Sequence, residues 1–353
     1  MMSIVDTPRS LESIGLSCVT RSPRKGAYLK VKTDPAATVG GEAVGKIVGV
    51  GRALGGRVVT NHDLAKVLDT DDAWIVARTG IRERRFVQEG EDCVTLATEA
   101  SKEALRRSGL SGDAIDLVIC ATTTAPESSP SVACLVSDGV GARGAGAIDL
   151  SAGCTGFCYA ASVASSMLCS GAASRVLLIG AEALTTIVDP EDRSTSVLFG
   201  DGAGAVILER GDGASGFVDH VLGSDGRMAP HLRAGHPGSS QKVRQNGREV
   251  FKFAVRILPE MIEKLVARNR VSWDDIQYVV PHQANLRIIE AAARSLNLAK
   301  SRIVVNIERY GNTSAASIPI SYPDIYDDLE PGKYIVTVGF GAGLTWAANL
   351  YRV

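Results

Sequence analysis

Short, unbroken runs of small aliphatic residues constrain the fold of this chain most. RVLLIGAE at 175–182, IQYVVPH at 276–282 and YIVTVGFG at 334–341 are rich in Val, Ile and Leu. Strands that are buried on both faces of a sheet have this composition, because helices cover both faces. Only 5% of the 353 residues are aromatic and 37 are glycine, so helices and strands can pack closely. We therefore expect an α/β fold with enclosed sheets.

Segments with helical spacing separate these runs and produce two successive αβαβα-like series. We expect residues 1–43 to form an N-terminal extension, 44–215 an N-terminal half and 216–353 a C-terminal half. In the first half, the pattern predicts a capped helix from Asn61, helices at 93–108, near Ala133 and after Cys154, and strands at 116–124, 147–150 and 175–182. In the second half, it predicts helices at 249–269, 286–296 and 313–329, and strands at 276–282 and 302–306, before a closing strand pair.

The balance of charge excludes several classes of partner. Lys and Arg number 38 and Asp and Glu number 39, giving a formal net charge of -1, which argues against binding to nucleic acid or to a membrane surface. Residues 150–174 carry no charge, yet their many Ser, Gly, Ala and Cys residues favour a helix buried in protein over one that crosses a membrane.

Seven cysteines without a CxxC pair disfavour a disulfide framework and a zinc site, so we expect a reducing compartment and no metal. Either a bacterial cytoplasm or the stroma of a plastid or apicoplast fits. The extension at 1–43 is typical of a disordered tail or of the trimmed end of an organelle transit peptide.

Three polar residues follow predicted strands and precede predicted helices: Cys154, His282 and Asn312. A helix N-terminus stabilises a thiolate, so Cys154 is a candidate nucleophile, with a buried structural cysteine as the alternative. Cys158, one turn into the helix, has the structural interpretation as its best one. Because strand ends in α/β folds meet at one crevice, Cys154, His282 and Asn312 are expected to meet there.

Other motifs point to structure rather than chemistry. Glycine-rich GVGRALGG at 49–56 has the wrong spacing for a nucleotide site, and GDGAGA at 200–205 predicts a tight hairpin or a close backbone contact. The remaining histidines are expected in solvated loops: His62, His220, His231 and His236.

The segments DLSAGCTGF, VPHQANLRII and YGNTSAASIP, with WIVARTGIRERR and GFGAGLTW, closely resemble the 3-oxoacyl-[acyl-carrier-protein] synthase III family. The resemblance covers about residues 46–353. It implies a duplicated, five-layered thiolase-like fold and the initiating condensing enzyme of type II fatty-acid biosynthesis. Such an enzyme joins acetyl-CoA, or another short acyl-CoA, to malonyl-acyl carrier protein, and it releases CoA and CO2.

By the same resemblance, Cys154 carries the acyl group as a thioester, and His282 and Asn312 stabilise the enolate formed when malonyl loses CO2. The backbone N–H groups of Cys154 and Ala342 would form the oxyanion hole. Many relatives have Gly in place of Ala342, and Ala costs little there if its φ is negative.

The resemblance also assigns contacts with substrates and partners. Trp74 and Arg193 would sandwich the adenine of coenzyme A, with further contacts from Thr70, Gly247 and Asn285; Arg248 replaces a smaller amide and departs from the pattern. Arg287, helped by Lys252 and Arg294, would receive the acidic carrier protein. The acyl pocket would involve Ser129, Leu198 and Phe199. Ser129 stands where the common bacterial pattern has a Phe that reaches across a homodimer interface, so longer or branched primers are expected.

No permanently bound cofactor is expected, because acyl-CoA and malonyl-carrier protein are substrates. Two alternatives remain on the same fold. One is a starter-unit synthase or ester-forming acyltransferase of secondary metabolism, for which chalcone-synthase-like enzymes are a less suitable comparison. The other is a non-catalytic binding subunit, against which the intact Cys, His and Asn set argues.

Overall fold

Two main sheets organise the protein, and each takes its strands from one stretch of the chain. The computed structural model describes residues 42–353. The first sheet has the order β1-β7-β6-β4-β5, and the second has the order β11-β12-β13-β8. Strands β2 with β3 and β9 with β10 form two small additional sheets.

The strands are β1 (Lys46–Leu54), β2 (Arg57–Thr60), β3 (Glu83–Phe86), β4 (Leu117–Ala121), β5 (Gly146–Leu150), β6 (Arg175–Glu182), β7 (Gly202–Glu209), β8 (Gly216–Ser224), β9 (Leu232–Arg233), β10 (Arg244–Gln245), β11 (Ile276–Pro281), β12 (Tyr334–Gly341) and β13 (Thr345–Arg352). The α-helices are α1 (Asn61–Ala65), α2 (Asp72–Thr79), α3 (Cys93–Ser108), α4 (Val132–Gly139), α5 (Gly156–Cys169), α6 (Arg193–Ser196), α7 (Gly247–Asn269), α8 (Leu286–Ser295) and α9 (Ile307–Tyr310).

Alternation along the buried strands places helices on both faces of each sheet. In β6, Leu177 and Ile179 pack with α3 and α4, whereas Leu178 faces the opposite way and packs with α5. The same central cluster contains Ala347 of the second sheet, so α5 lies between the two sheets. Helices α7 and α8 cover the outer face of the second sheet. The result is the expected succession of helix, sheet, helix, sheet and helix layers.

The prediction for α3 is confirmed at both ends. Asp92 caps the helix by accepting a hydrogen bond from the Thr95 nitrogen, and the Thr95 side chain returns a bond to the Asp92 backbone. Gly109 ends the helix with a φ of 70°, a left-handed conformation that glycine adopts without strain.

Glycines allow α3 to lie directly on β1. A Cβ atom at Gly51 would be 2.2 Å from the Ala100 carbonyl oxygen, and one at Gly49 would be 2.5 Å from that of Ala104. The motif at 49–56 is therefore largely strand, not a turn that follows a strand. A close backbone contact is confirmed in the motif at 200–205, since a Cβ at Gly204 would lie 2.3 Å from the Pro319 carbonyl carbon.

The prediction of a capped helix from Asn61 is confirmed, because α1 begins at Asn61 and the Thr60 side chain caps it by accepting from the Asp63 nitrogen. Two other predictions are wrong. Residues 302–306 are not a strand, and only Ile303 makes an isolated bridge with the second sheet. Residues 313–329 form consecutive short 3-10 turns in place of one helix, because Pro319 and Pro323 remove backbone donors.

Three of the four histidines predicted to lie in solvated loops lie in other structures. His62 lies in α1, and His231 ends a 3-10 turn at Gly226–His231. His220 lies in β8, where its Nδ1 is 2.8 Å from Asn349 Nδ2 and burial lowers its pKa to about 4. His236 is in an exposed loop, as expected.

The predicted extension falls almost wholly outside the described residues, which begin at Glu42. Ala43 is nevertheless buried, and its nitrogen donates to the Gly213 carbonyl. The uncharged stretch at 150–174 begins at the last residue of β5 and contains the buried helix α5, as predicted. Within residues 42–353, no helix combines the length and the apolar character needed to cross a membrane.

Candidate active site

Two of the candidate residues, Cys154 and His282, lie at the carboxyl ends of parallel strands. Strands β4, β5 and β6 run parallel in the first sheet, and Cys154 follows β5 in a 3-10 turn, Gly153–Thr155, immediately before α5. Strand β11 runs parallel to β12 in the second sheet, and His282 directly follows β11. This is where α/β proteins build their sites.

Gly339 and Gly341 of β12 bring the two sheets together at Cys154. A Cβ atom at Gly339 would lie 3.5 Å from both the Cys154 carbonyl oxygen and the His282 Cβ. A Cβ at Gly341 would lie 2.7 Å from the Cys154 nitrogen, which is closer than side chains tolerate. Gly341 therefore permits β12 to approach the Cys154 backbone closely, and Gly339 lies between the Cys154 turn and His282.

Asn312 is fixed by backbone bonds to the segment before β7. Its nitrogen donates to the Leu198 carbonyl at 2.8 Å, and its carbonyl accepts from the Gly200 nitrogen at 3.0 Å. Its side-chain oxygen accepts a 2.9 Å bond from the nitrogen of Ser314. The Ser314 side chain in turn interacts with the Cys154 thiol. Asn312 and Cys154 are thus joined through one intervening serine.

The thiol of Cys154 is held in its neutral form. Burial raises its pKa to about 12, and the negative charge of Glu182 acts in the same direction. The Ser314 side chain and the Cys154 N–H oppose this rise without cancelling it, even though part of the residue is exposed. Burial therefore opposes the stabilisation of the thiolate that the helix N-terminus is expected to give.

His282 is also neutral. Its side chain is buried, with 1% of the residue exposed, and burial lowers its pKa to about 3. Nδ1 lies 2.8 Å from the hydroxyl oxygen of Ser317, and the ring packs edge-on against Phe340 at a centroid distance of 5.6 Å. A neutral imidazole in a fixed orientation suits a hydrogen-bonding role better than an electrostatic one.

Sequence reasoning missed three polar residues at this site: Glu182, Ser314 and Ser317. Glu182 is a charged residue at the end of an otherwise apolar strand, which is a signal that could have identified it. The two serines lie within the YGNTSAASIP motif, where they are indistinguishable by pattern from residues that cap a turn. Their partners are far apart in sequence, so only the folded chain shows their contacts.

Ala342 occupies the position expected of an oxyanion-hole donor. A Cβ at Gly153 would lie 3.1 Å from the Ala342 nitrogen, so this N–H is next to the Cys154 turn. Ala342 does not have a positive φ, and alanine is therefore unstrained there. A cavity of about 840 Å³ opens beside these residues and is lined by Gly153, Ala342, Tyr159 and His236.

Four of the five residues expected to bind coenzyme A lie together. The Arg193 guanidinium stacks 4.9 Å from the Trp74 ring centre and also contacts Asp69, which precedes Thr70. Asn285 donates to the Arg78 carbonyl at 2.9 Å, and Arg78 covers Trp74 at 4.4 Å. The buried hydroxyl of Thr70 has no hydrogen-bond partner. Gly247 begins α7 in open space beside the exposed Arg248.

The expected acyl-pocket residues separate into two places. Leu198 and Phe199 adjoin Asn312, through a hydrogen bond and a backbone bridge respectively. Phe199 also lines a cavity of about 540 Å³. Ser129 lies in an exposed loop between β4 and α4 and is not among the residues that line this cavity.

The basic residues expected to bind a carrier protein span two adjoining helices. Arg287 of α8 stacks over Phe251 of α7 at 5.5 Å, which places it beside Lys252. Lys252 bonds Glu249 at 2.7 Å, and Arg294 lies 3.8 Å from Glu290. All three side chains stay exposed. Within residues 42–353, no group of three or more His, Cys, Asp or Glu side chains is placed to hold a metal ion.

A cysteine, a neutral histidine and an asparagine meet where two enclosed sheets converge, and the cysteine precedes a buried central helix. This fold and site are those of a thiolase-like condensing enzyme, a class of acyltransferase.

Comparisons identify the family. Models described as 3-oxoacyl-[acyl-carrier-protein (ACP)] synthase III and its C-terminal part match residues 148–226 and 266–353. The beta-ketoacyl-[acyl-carrier-protein] synthase III of Rubrobacter xylanophilus is 68% identical, over 88% of this chain and 99% of that protein. The chain therefore belongs to the beta-ketoacyl-[acyl-carrier-protein] synthase III family, the initiating condensing enzymes of fatty-acid synthesis.

Solved structures agree with this assignment and confirm the predicted thiolase-like fold. The 3-oxoacyl-[acyl-carrier-protein] synthase III of Aquifex aeolicus has a TM-score of 0.84 at 45% identity and covers 88% of this chain and 100% of its own. The priming beta-ketosynthase of the R1128 polyketide pathway has a TM-score of 0.82 at 32% identity, covering 90% and 99% respectively.

Proposed function

We propose that this enzyme joins a short acyl-CoA to malonyl-acyl carrier protein and releases CoA and CO2, with Cys154, His282 and Asn312 as its catalytic residues. The observation that carries the proposal is that Cys154 and His282 flank the glycines of β12, while Asn312 is joined to the Cys154 thiol through Ser314. Family membership supports the reaction class.

In the first half-reaction, the Cys154 sulfur attacks the thioester carbon of acyl-CoA. The S–C bond to the enzyme forms, the S–C bond to coenzyme A breaks, and the thiol proton finally reaches the CoA sulfur. The N–H groups of Cys154 and Ala342 would bind the oxyanion of the intermediate. One such donor is worth about 3 kcal/mol in comparable sites.

In the second half-reaction, malonyl-carrier protein loses CO2, and the resulting carbanion attacks the acyl-Cys154 carbonyl. The C–C bond of the 3-oxoacyl product forms, the S–C bond to Cys154 breaks, and the cysteine sulfur is released. The negative charge that develops on the malonyl thioester oxygen requires hydrogen-bond donors. The Asn312 side-chain amide can donate because its oxygen is already engaged by the Ser314 nitrogen. A neutral His282 can donate from Nε2 if Ser317 supplies a proton to Nδ1.

Coenzyme A would bind at Thr70, Trp74, Arg193 and Asn285, with Gly247 bordering the entrance. The unpartnered Thr70 hydroxyl supports this assignment, because a buried polar atom without a partner is costly unless a ligand satisfies it. The acidic carrier protein would dock against Arg287, Lys252 and Arg294.

The absence of an aromatic side chain at Ser129 supports a wider acyl pocket than that of an enzyme restricted to acetyl groups. This proposal requires a homodimer, in which the exposed Ser129 loop reaches the pocket of the other subunit.

Strand β5 supports a homodimer. It is an edge strand of the first sheet, so one row of its backbone groups is available to a second copy. Ile148 of β5 is 43% exposed and Leu135 of α4 is 39% exposed, which is unusual for large aliphatic side chains that have no partner. Two copies joined through β5 would cover both.

A starter-unit synthase of secondary metabolism is the second candidate. The structural similarity to the R1128 priming beta-ketosynthase supports this second candidate. Both candidates form an acyl-Cys154 intermediate and differ only in the primer and the acceptor. The bacterial relatives in turn support a bacterial cytoplasm over a plastid as the compartment.

The test combines peptide mass with an acceptor panel. Acetyl-CoA alone is expected to add one acetyl group to the peptide that contains Cys154. The variants His282→Ala and Asn312→Ala should still accept the acetyl group but lose condensation by about 100-fold or more. An unmodified Cys154 peptide would reject the assignment, and loss of acylation alone in either variant would reject the assigned roles. Product masses from several primers and carrier proteins then separate the two candidates.

A further inference from the structure

Glu182 is a buried carboxylate that the reaction described above does not use. It ends β6, and none of its surface is exposed. It accepts hydrogen bonds from the Thr124 hydroxyl at 2.7 Å, the Ser314 hydroxyl at 3.0 Å and the Thr123 hydroxyl and nitrogen at 3.1 and 3.2 Å. These donors carry no charge. A buried carboxylate with neutral partners accepts a proton readily, and burial raises the pKa of Glu182.

Ser314 links this carboxylate to the nucleophile. Its hydroxyl donates to Glu182. The 3-10 turn that it begins, Ser314–Ala316, packs against the turn Gly153–Thr155, where its side chain interacts with the Cys154 thiol. Ser314 has a φ of 48°, which is rare for a residue with a side chain. The Asn312 side-chain oxygen accepts from the Ser314 nitrogen and holds the backbone in this conformation. Backbone strain of this kind is retained at functional sites, where it orients a side chain toward a reacting group.

A hydroxyl group has only one proton, so it cannot donate to Glu182 and to Cys154 at the same time. While Glu182 is ionised, Ser314 donates to it and can accept the S–H proton. Once Glu182 is protonated, Ser314 can accept from the carboxylic acid and donate to the sulfur. The two arrangements differ by the transfer of one proton from Cys154 to Glu182.

We propose that Ser314 and Glu182 form a proton relay that removes the Cys154 proton as the sulfur attacks the acyl thioester. As the S–C bond forms, the thiol proton passes to Ser314 and the Ser314 proton passes to Glu182. The CoA thiolate leaves, and the same proton returns through Ser314 to the CoA sulfur. No further reactant is required. Ser314 is a catalytic residue in this scheme, and Glu182 acts through it. The CoA part of the scheme rests on the proposed function.

The surroundings of Glu182 make its ionisation observable. The ionisable groups that face it are the thiols of Cys93 from α3, Cys120 from β4 and Cys154. Burial raises the pKa of Cys93 to about 12 and also raises the pKa of Cys120. Neither of these two thiols therefore titrates near neutral pH, and a change in Cys154 reactivity at lower pH reports on Glu182.

The experiment measures two single-turnover rates from pH 5 to 9: alkylation of Cys154 by iodoacetamide and its acetylation by acetyl-CoA. In the wild type, both rates should be level near neutral pH and fall at acid pH as Glu182 becomes protonated. In Glu182→Gln, both should be about 100-fold lower at pH 7 and rise about tenfold per pH unit, because solvent must then remove the proton. Glu182→Asp should restore the level profile.

Controls separate the relay from a structural role. Asp201→Asn removes another buried carboxylate, one that accepts from Thr185, and should keep the wild-type profile. Ser314→Gly removes the hydroxyl and suits the positive φ, so it provides the same test if Glu182→Gln does not fold. An unchanged profile in Glu182→Gln, or one lowered equally at every pH, overturns the relay.

Failure of the proposed function would look different. If the wild type is alkylated with the expected pH profile but is not acetylated, the relay stands and the acyl-CoA assignment fails. If the wild type is acetylated and Glu182→Gln keeps the wild-type profile, the assignment stands and the relay fails.

Discussion

The Nδ1 atom of His282 lies 2.8 Å from the hydroxyl oxygen of Ser317. That hydroxyl is also 2.9 Å from the Ser314 carbonyl oxygen, so its single proton has two acceptors. When the proton points to Nδ1, the other ring nitrogen, Nε2, carries the ring proton and can donate to a substrate. When the proton points to Ser314, the ring proton must sit on Nδ1. Ser317 thus governs which tautomer His282 adopts.

Replacing Ser317 should therefore affect condensation more than acylation. In Ser317→Ala we expect the rate of decarboxylative condensation to fall about tenfold, because Nε2 loses its fixed protonation, while acetylation of Cys154 stays near the wild-type rate. Single-turnover assays of each half-reaction measure the difference. Ser317→Thr keeps the hydroxyl and should recover the condensation rate. Equal losses in both half-reactions would contradict a role for Ser317 in setting the tautomer.

The contact between Trp74 and Arg193 should change when coenzyme A binds. An aromatic ring between them needs about 7 Å, twice a stacking distance of about 3.5 Å, whereas the guanidinium now lies 4.9 Å from the indole centre. Arg193→Gln is expected to raise the KM for acyl-CoA about fivefold with little change in kcat, as a stacking contact is worth about 1 kcal/mol. Arg57→Gln, which removes a similar stack on Phe86, is the control. An unchanged KM would place the adenine elsewhere.

Buried His282 should make the protein less stable in acid. Burial holds its folded-state pKa at about 3, below its ordinary value of 6.5. Between these values the unfolded chain binds a proton that the folded protein does not, so the free energy of unfolding falls as pH falls. From pH 7 to pH 5 the loss from this group is about 2 kcal/mol.

Urea denaturation at pH 7 and pH 5 measures this loss. His282→Gln should lose about 2 kcal/mol less than the wild type between the two pH values. His62→Gln changes an exposed histidine and should behave like the wild type. An equal loss in His282→Gln and wild type would show that His282 is not held neutral.

Ser129→Phe should narrow the range of primers. A large ring at this position would fill part of the pocket of the other subunit, so the ratio of kcat/KM for acetyl-CoA to that for a branched acyl-CoA should rise at least tenfold. Competition between the two primers measures the ratio. Ser128→Phe, one residue earlier in the same exposed loop, is the matched control. Strong preference for acetyl-CoA in the wild type, unaltered by Ser129→Phe, would reject the idea.

Charge on strand β5 should prevent dimer formation. Ile148→Lys places an ammonium on an edge strand that we propose to be covered, so sedimentation should show a monomer in place of a dimer. Val305→Lys alters another exposed aliphatic residue, 38% exposed, and should leave the dimer intact. A dimer that survives Ile148→Lys would place the interface elsewhere.

Local signals explain which elements the sequence predicted. Asp92 begins α3 and Gly109 ends it through contacts with residues close to them in sequence. The local sequence pattern is therefore sufficient to predict both ends of this helix. Residues 302–306 have the same aliphatic character as a strand, but only Ile303 forms a bridge with β11, the edge strand of the second sheet. Pro319 and Pro323 are local signals as well, because a proline lacks the backbone donor that a continuous helix needs.

The site likewise contains residues that the sequence predicts and residues that only the folded chain reveals. Cys154, His282 and Asn312 each follow a recognisable strand or glycine turn and are foreseen from the sequence. Glu182 and Ser314 are separated by 132 positions, and nothing near either residue indicates the bond between them. Burial of the thiol, which reverses the expected direction of its pKa shift, also depends on how the second sheet covers it.

The hydrogen bonds that hold Asn312 run between chain segments on opposite sides of the boundary between the two sheet-forming stretches. The nucleophile follows a strand of one sheet, and the histidine follows a strand of the other. The site belongs to neither sheet alone, because it forms only where the two sheets are aligned with each other. Selection for this reaction must therefore act on how the two sheets fit together. A substitution far from the Cys154 thiol can alter turnover by tilting one sheet against the other.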